Sequence, residues 1–127
     1  MKKAPNSKIL VVDDSNTNVV LMDAILNEKG YQIETALNAK EAYIILKKDR
    51  PDLILLDLLM PKISGFEFLE QIKRNNGTKD IPVIVISAVT NSDKINRTIK
   101  LGAIEFIKKP INIQNFIKKV ETILNQE

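Results

Sequence analysis

Leu53-Ile54-Leu55-Leu56-Asp57 sets four uninterrupted apolar residues directly before a carboxylate. The same design occurs in Ile9-Leu10-Val11-Val12-Asp13-Asp14 and, ending on a hydroxyl, in Val83-Ile84-Val85-Ile86-Ser87. A strand with one wet face alternates apolar and polar residues, whereas a run that is apolar throughout suits a parallel strand covered on both faces. The three runs therefore belong at the centre of a parallel sheet. Two more strand candidates flank them: Tyr31 to Thr35, whose alternation suits a place nearer an edge, and Ile104 to Ile107.

Helix candidates fall between these runs, at residues 16–29, 39–48, 65–75, 93–101 and 113–125. Asn38 with Glu41 three residues on has the form of a capping box, and Gly30 and Gly102 stand where helices stop. Ile113, Phe116, Ile117, Val120, Ile123 and Leu124 keep one apolar stripe through the last helix, the pattern of core packing. Five strands alternating with five helices imply right-handed βαβ units and an open parallel sheet with helices on both faces. In such sheets chemistry gathers at the carboxyl ends of the strands, where the strand order reverses.

The 127 residues, 44% hydrophobic and 28% charged, suffice for one domain with a real core, expected over residues 1–127 with its packed part at about 8–125. No cysteine and no histidine occur. That excludes disulfides, thiolate zinc sites, imidazole ligands, Ser-His and Cys-His catalysis, and a phosphohistidine within the chain. Met1-Lys2-Lys3 is basic, but the next apolar run, Ile9 to Val12, is too short for a signal-peptide core, and no stretch approaches a membrane span. A cytoplasmic protein without membrane contact is expected. Residues 1–78 carry 11 Lys+Arg and 11 Asp+Glu, residues 79–127 carry 8 and 5, so the whole net charge of +3 lies in the second part. So small an excess, with no basic run longer than two, gives no reason to expect direct nucleic-acid binding.

Four of the five expected strands end on polar groups: Asp13 and Asp14, Asp57, Ser87, and Lys109 before Pro110. Singly each has an ordinary explanation, since an acid before a helix is a good cap, a serine suits a turn and a lysine is usually solvated. Together they put three carboxylates and an ammonium where the fold collects its sites, and like charges so placed need a counter-charge. Three oxygen ligands without nitrogen or sulfur suit a hard divalent cation such as Mg2+, which keeps several waters and adds phosphate oxygens. Asp57, at the end of the central strand, is placed to be a carboxylate nucleophile toward a phosphoryl group. Lys109 and the metal would neutralise charge on the transferring group, and the Ser87 hydroxyl could donate to one of its oxygens.

With these residues in view, the chain resembles the response-regulator receiver family from Lys8 to the final helix. The match rests on Val11-Val12-Asp13-Asp14, on Asp57-Leu58-Leu59-Met60-Pro61 with Gly65, on Val85-Ile86-Ser87-Ala88 and on Phe106-Ile107-Lys108-Lys109-Pro110. The resemblance implies a flavodoxin-like three-layer fold with a five-stranded parallel sheet of order 2-1-3-4-5. It makes Asp57 the phosphoacceptor, Asp14 a direct magnesium ligand, Asp13 a ligand acting mainly through water, and the Leu59 carbonyl a further ligand. Ser87 and Phe106 look like the family's switch pair, and a cis Lys109-Pro110 peptide is implied. The function implied is a phosphorylation-activated switch of a two-component or phosphorelay system. Its phosphoryl donor is a histidine kinase or histidine phosphotransfer protein.

Two features depart from the commoner pattern: Phe106 lacks the hydroxyl of a tyrosine, and Leu59 and Val89 are apolar where relatives often carry polar groups. They bear on how long the phosphorylated state lasts. Haloacid-dehalogenase-type phosphatases share the aspartate nucleophile but need a second carboxylate two residues on, and here that position is Leu59. A flavin or nicotinamide site needs a Gly-rich cradle, whereas Asp13-Asp14-Ser15-Asn16-Thr17-Asn18 has no glycine and leads with two acids. A pseudo-receiver that only binds partners would lack an acid or the lysine, and none is missing. The chain closes soon after its last apolar stripe, so output is expected through protein contact by a monomer or weak dimer. The fourth helix, fifth strand and fifth helix are the expected surface, with Lys94, Arg97, Lys100, Lys118 and Lys119 as candidate charges.

Overall fold

The computed structural model describes residues 7–60 and 63–125. Pro61, quoted above as part of a motif, lies outside the described residues. The elements run β1 (Lys8–Val12), α1 (Asn16–Glu28), β2 (Gln32–Ala36), α2 (Ala39–Lys48), β3 (Leu53–Leu56), α3 (Gly65–Arg74), β4 (Val83–Ser87), α4 (Ser92–Lys100), β5 (Glu105–Lys108) and α5 (Ile113–Leu124). All strand pairs are parallel, in the order β2-β1-β3-β4-β5, as expected.

Alternate residues of the three central strands supply two separate cores. Leu10, Val12, Ile54, Leu56, Val83 and Val85 face α2 and α3, meeting Ala42, Phe68, Leu69 and Ile72. Ile9, Val11, Leu53, Leu55, Ile84 and Ile86 face α1 and α5, meeting Met22, Leu26, Phe116 and Val120. Both faces are thus dry, which explains the continuous apolar runs. Each helix opens on a side-chain cap, from Ser15, Asn38, Ser64, Asn91 or Asn112. The expected capping box is only half as drawn: Asn38 caps the Glu41 amide, but the Glu41 carboxylate takes the N–H of Leu37, not of Asn38.

Three expected strand or stripe residues do other work. Tyr31 lies just before β2, because its N–H closes α1 onto the Leu26 carbonyl, with Gly30 at φ 94° bonding to Asn27 in a Schellman turn. Ile104 precedes β5 and stays half exposed, and Ile113 at the head of α5 lies off the buried stripe. Ser87, expected after β4, is its last residue.

Three bonds carry the ladders past the strands into the loops. The amides of Asp57, Asp13 and Lys109 donate to the carbonyls of Val12 (2.9 Å), Ala36 (3.1 Å) and Ser87 (2.9 Å). Site backbone is therefore fixed by the sheet itself, at the point between β1 and β3 where the strand order reverses.

Candidate functional site

Asp13, Asp14 and Asp57 each offer a carboxylate oxygen, and these oxygens all lie within 4.8 Å of one another. Asp13 and Asp57 are buried, and Asp14 is exposed. Lys109, carried in by β5, donates from Nζ to Asp13 Oδ2 at 3.2 Å and to Asp57 Oδ2 at 3.3 Å. Its peptide to Pro110 is cis. The Leu59 N–H donates to Asp57 Oδ1 at 3.2 Å, while the Leu59 side chain is 57% exposed. The expected three acids and lysine are thus brought together.

The electrostatics are unbalanced. Burial pushes the Asp57 carboxyl above the usual carboxylate range, against the opposing pull of the Leu59 N–H and Lys109; Asp13 adds to the rise. Burial alone would lower the pKa of Lys109, but the carboxylates of Asp57 and Asp13 outweigh it and hold the ammonium above the ordinary lysine value. The two shifts describe one pair from its two ends: attraction keeps Lys109 charged without fully offsetting the burial of Asp57. A site of two buried acids, one exposed acid and no nitrogen or sulfur donor fits a hard divalent cation, with its open side left for water or phosphate.

Ser87 is fully buried, and its Oγ accepts the Val89 N–H at 3.3 Å. Phe106 sits half-buried on β5, paired in register with Val85 and packed on the α2–α3 core. Val89 packs on that same core.

Two residues emerge that sequence reasoning missed or left without a role. Asn18, on α1, donates from Nδ2 to Asp13 Oδ2 at 3.2 Å. Gly65 was recognised only as part of a motif; a Cβ there would lie 2.4 Å from Leu58 Cα and 2.7 Å from the Asp57 carbonyl oxygen. The head of α3 therefore presses directly on the Asp57 loop, where the Gly65 N–H bonds to the Leu58 carbonyl at 2.9 Å.

An open parallel sheet with carboxylates and a lysine at its switch point defines a doubly wound α/β domain with an acidic, oxygen-only site at the carboxyl ends of its strands. Within that class the chain belongs to the response regulator receiver domain family, whose model matches residues 9–121. It is 36% identical over 127 residues to a probable cyclic di-GMP phosphodiesterase of Vibrio cholerae, covering 100% of this chain and 29% of that protein. It is 36% identical over 119 residues to sporulation initiation phosphotransferase F of Bacillus subtilis, covering 94% of each. The structure of Vibrio cholerae chemotaxis protein CheY4 superposes with a TM-score of 0.87 at 30% identity, covering 94% of this chain and all of that one. The chain spans less than a third of the phosphodiesterase and nearly all of the sporulation protein. It is a receiver domain of the two-component kind, a family that acts as phosphoacceptor switches with histidine kinases or phosphotransfer proteins. Among the described residues no helix is long and apolar enough to cross a membrane.

Proposed function

We propose that residues 1–127 form one receiver domain, a cytoplasmic switch that takes a phosphoryl group on Asp57 from a histidine kinase or histidine phosphotransfer protein. The observation that carries the assignment is the Lys109 ammonium shared between Asp57 and Asp13 at the ends of β5, β3 and β1. Asp13, Asp14, Asp57 and the Leu59 carbonyl would hold Mg2+, which when bound supplies positive charge beside the phosphoryl oxygens.

An Asp57 oxygen attacks the phosphorus of the donor phosphohistidine in line. The P–N bond breaks as the P–O bond forms, and the imidazole leaves with the electron pair and takes up a proton. The Leu59 N–H and Lys109 oppose the rise that burial causes at Asp57 and so favour its anionic form for the attack; Lys109 then turns an N–H toward the phosphoryl oxygens. The Ser87 hydroxyl, bonded only to its own loop among the described residues, turns to donate to the same group, and Phe106 follows into the space it leaves.

The donor must reach the mouth between α1 and the β5–α5 loop. A groove of about 460 Å³ lies there, lined by Asn18, Leu21, Ala88, Pro110, Ile111 and Ile113. Leu21 and Ile113 are nearly half exposed and Val20 is 66% exposed, apolar surface that suits a protein donor. Output would follow by protein contact through α4, β5 and α5 of a monomer or weak dimer, with no enzymatic activity beyond phosphotransfer to Asp57 and loss of that phosphate.

Incubation with a small acyl phosphate and Mg2+ tests the assignment. Mass spectrometry should find one added phosphoryl group, absent from Asp57→Asn; undiminished incorporation in that variant would remove Asp57 from the role.

A further inference from the structure

We propose that Asn18 is a positioning residue for phosphotransfer, holding Asp13 toward the cation both before transfer and when Lys109 turns from it to the phosphoryl group. The proposal rests on the acidic pocket being the cation and phosphoryl site.

Asp13 is bound from three directions. Its Oδ1 accepts the Ser15 N–H at 2.9 Å, and its Oδ2 accepts both the Asn18 amide at 3.2 Å and Lys109 Nζ at 3.2 Å. A carboxylate only accepts, so the nitrogen end of the Asn18 amide must face it. Asn18 is itself anchored, because its backbone N–H donates to Ser15 Oγ at 3.3 Å, the cap of α1. Asp13, Ser15 and Asn18 therefore form one closed ring of bonds at the head of α1.

The ring answers a problem the transfer creates. Lys109 has one ammonium shared by two carboxylates, and the arriving phosphoryl group adds a third anionic claimant. When Lys109 leaves Asp13, a side chain only 10% exposed would lose its charged donor on Oδ2, and a buried acceptor left unsatisfied is costly. Asn18 keeps that oxygen bonded. It also prevents Oδ2 from turning away from the pocket, so the oxygens of Asp13, Asp14 and Asp57 stay close enough to serve one cation. Because Asn18 also lines the groove beside Lys109 and Pro110, a donor seated there presses on the residue that sets Asp13.

Removing a hydrogen bond behind a metal-binding carboxylate typically weakens the metal about 10–100-fold. The test measures the Mg2+ Kd of the unphosphorylated full chain by calorimetry, with thermal melting in chelator as the control for folding. Asn18→Leu, which keeps the bulk and loses the donor, should raise the Mg2+ Kd about tenfold with the chelator melt held within a few degrees. Asn18→Gln, which keeps the donor on a longer stem, should fall between that variant and the wild type. Asn18→Leu binding Mg2+ as tightly as the wild type, or Asn18→Gln binding as weakly as Asn18→Leu, overturns the positioning role. A wild type that binds no Mg2+ overturns instead the assignment of the pocket, and so separates the two claims.

Discussion

Adding Mg2+ to the metal-free protein should raise its melting temperature, and replacing Asp14 by alanine should remove most of the gain. Native Asp13, Asp14 and Asp57 bring their oxygens within 4.8 Å, an arrangement the unfolded chain lacks. A cation that binds only the native form stabilises it by about 2.7 kcal/mol at 100 times its Kd. Unfolding entropy of about 2.1 cal/mol/K per residue gives about 270 cal/mol/K for 127 residues. The ratio is a rise of about 10 °C.

Asp14 is the right residue to remove. It is exposed and makes none of the described side-chain hydrogen bonds, whereas Asp13 anchors Ser15, Asn18 and Lys109. Asp14→Ala should therefore leave the melt in chelator within about 0.5 kcal/mol of the wild type, as for an ordinary surface change. Its response to Mg2+ should collapse. Calorimetric melts are compared in chelator and in Mg2+, with sodium chloride matching the ionic strength so that screening cancels. A wild type indifferent to about 10 mM Mg2+, or an Asp14→Ala protein with the full rise, would refute the reasoning.

Gly65→Ala should cost about 1–3 kcal/mol in urea unfolding, because its Cβ would meet backbone at Leu58 and Asp57 that has no flexible end to give; an unchanged midpoint would show that α3 shifts freely. Asp57→Asn should stabilise the metal-free protein at neutral pH. Burial raises the Asp57 pKa, so the cost of its charge is full above the raised value and gone below the ordinary one; the gain must shrink as pH falls through that window, and a gain independent of pH would contradict it. Leu59→Asn combined with Val89→Glu should speed phosphate loss by about one to two powers of ten, since polar groups can orient an attacking water. Single-turnover decay after removal of the donor, at fixed Mg2+, decides this, and a double variant no faster than the wild type ends the idea.

The central strands were readable because burial on both faces leaves a signature in consecutive residues, and β1, β3 and β4 carry it. The acids and the lysine were readable for a related reason: each follows a strand, and strand direction fixes where its end lies. What escaped depends on atoms far apart in sequence or on side-chain direction. Tyr31 has the alternation of a strand residue, but its N–H serves the end of α1. Ile113 has the spacing of the α5 stripe, but it lies at the mouth of the groove beside Pro110 and stays exposed. The contact of Gly65 with the Asp57 loop is a distance between two backbones that no residue pattern encodes. Asn18 looked like one more polar residue in a first helical turn, and its side-chain bond to Asp13, which no residue pattern encodes, sets it apart from Asn16.

The groups around the pocket are held in two ways, by the sheet backbone and by side chains. Groups that must keep their place are held by the sheet: the amides of Asp13, Asp57 and Lys109 extend the strand ladders at 2.9–3.1 Å, and Asp13 Oδ1 takes a further backbone N–H at 2.9 Å. The Lys109 ammonium and the Ser87 hydroxyl, the groups proposed to turn to the phosphoryl group, are held through side-chain atoms alone at the pocket, at 3.2 and 3.3 Å from Lys109 Nζ and 3.3 Å at Ser87 Oγ. Beyond Ser87 the next helix, α4, buries only Thr98, while the strand before it is buried throughout. On the proposed reading, a displacement at Ser87 would meet a fully buried strand on one side and a largely exposed helix on the other, and would be taken up by the helix. That asymmetry directs the proposed signal toward α4 and β5, through which protein output was proposed.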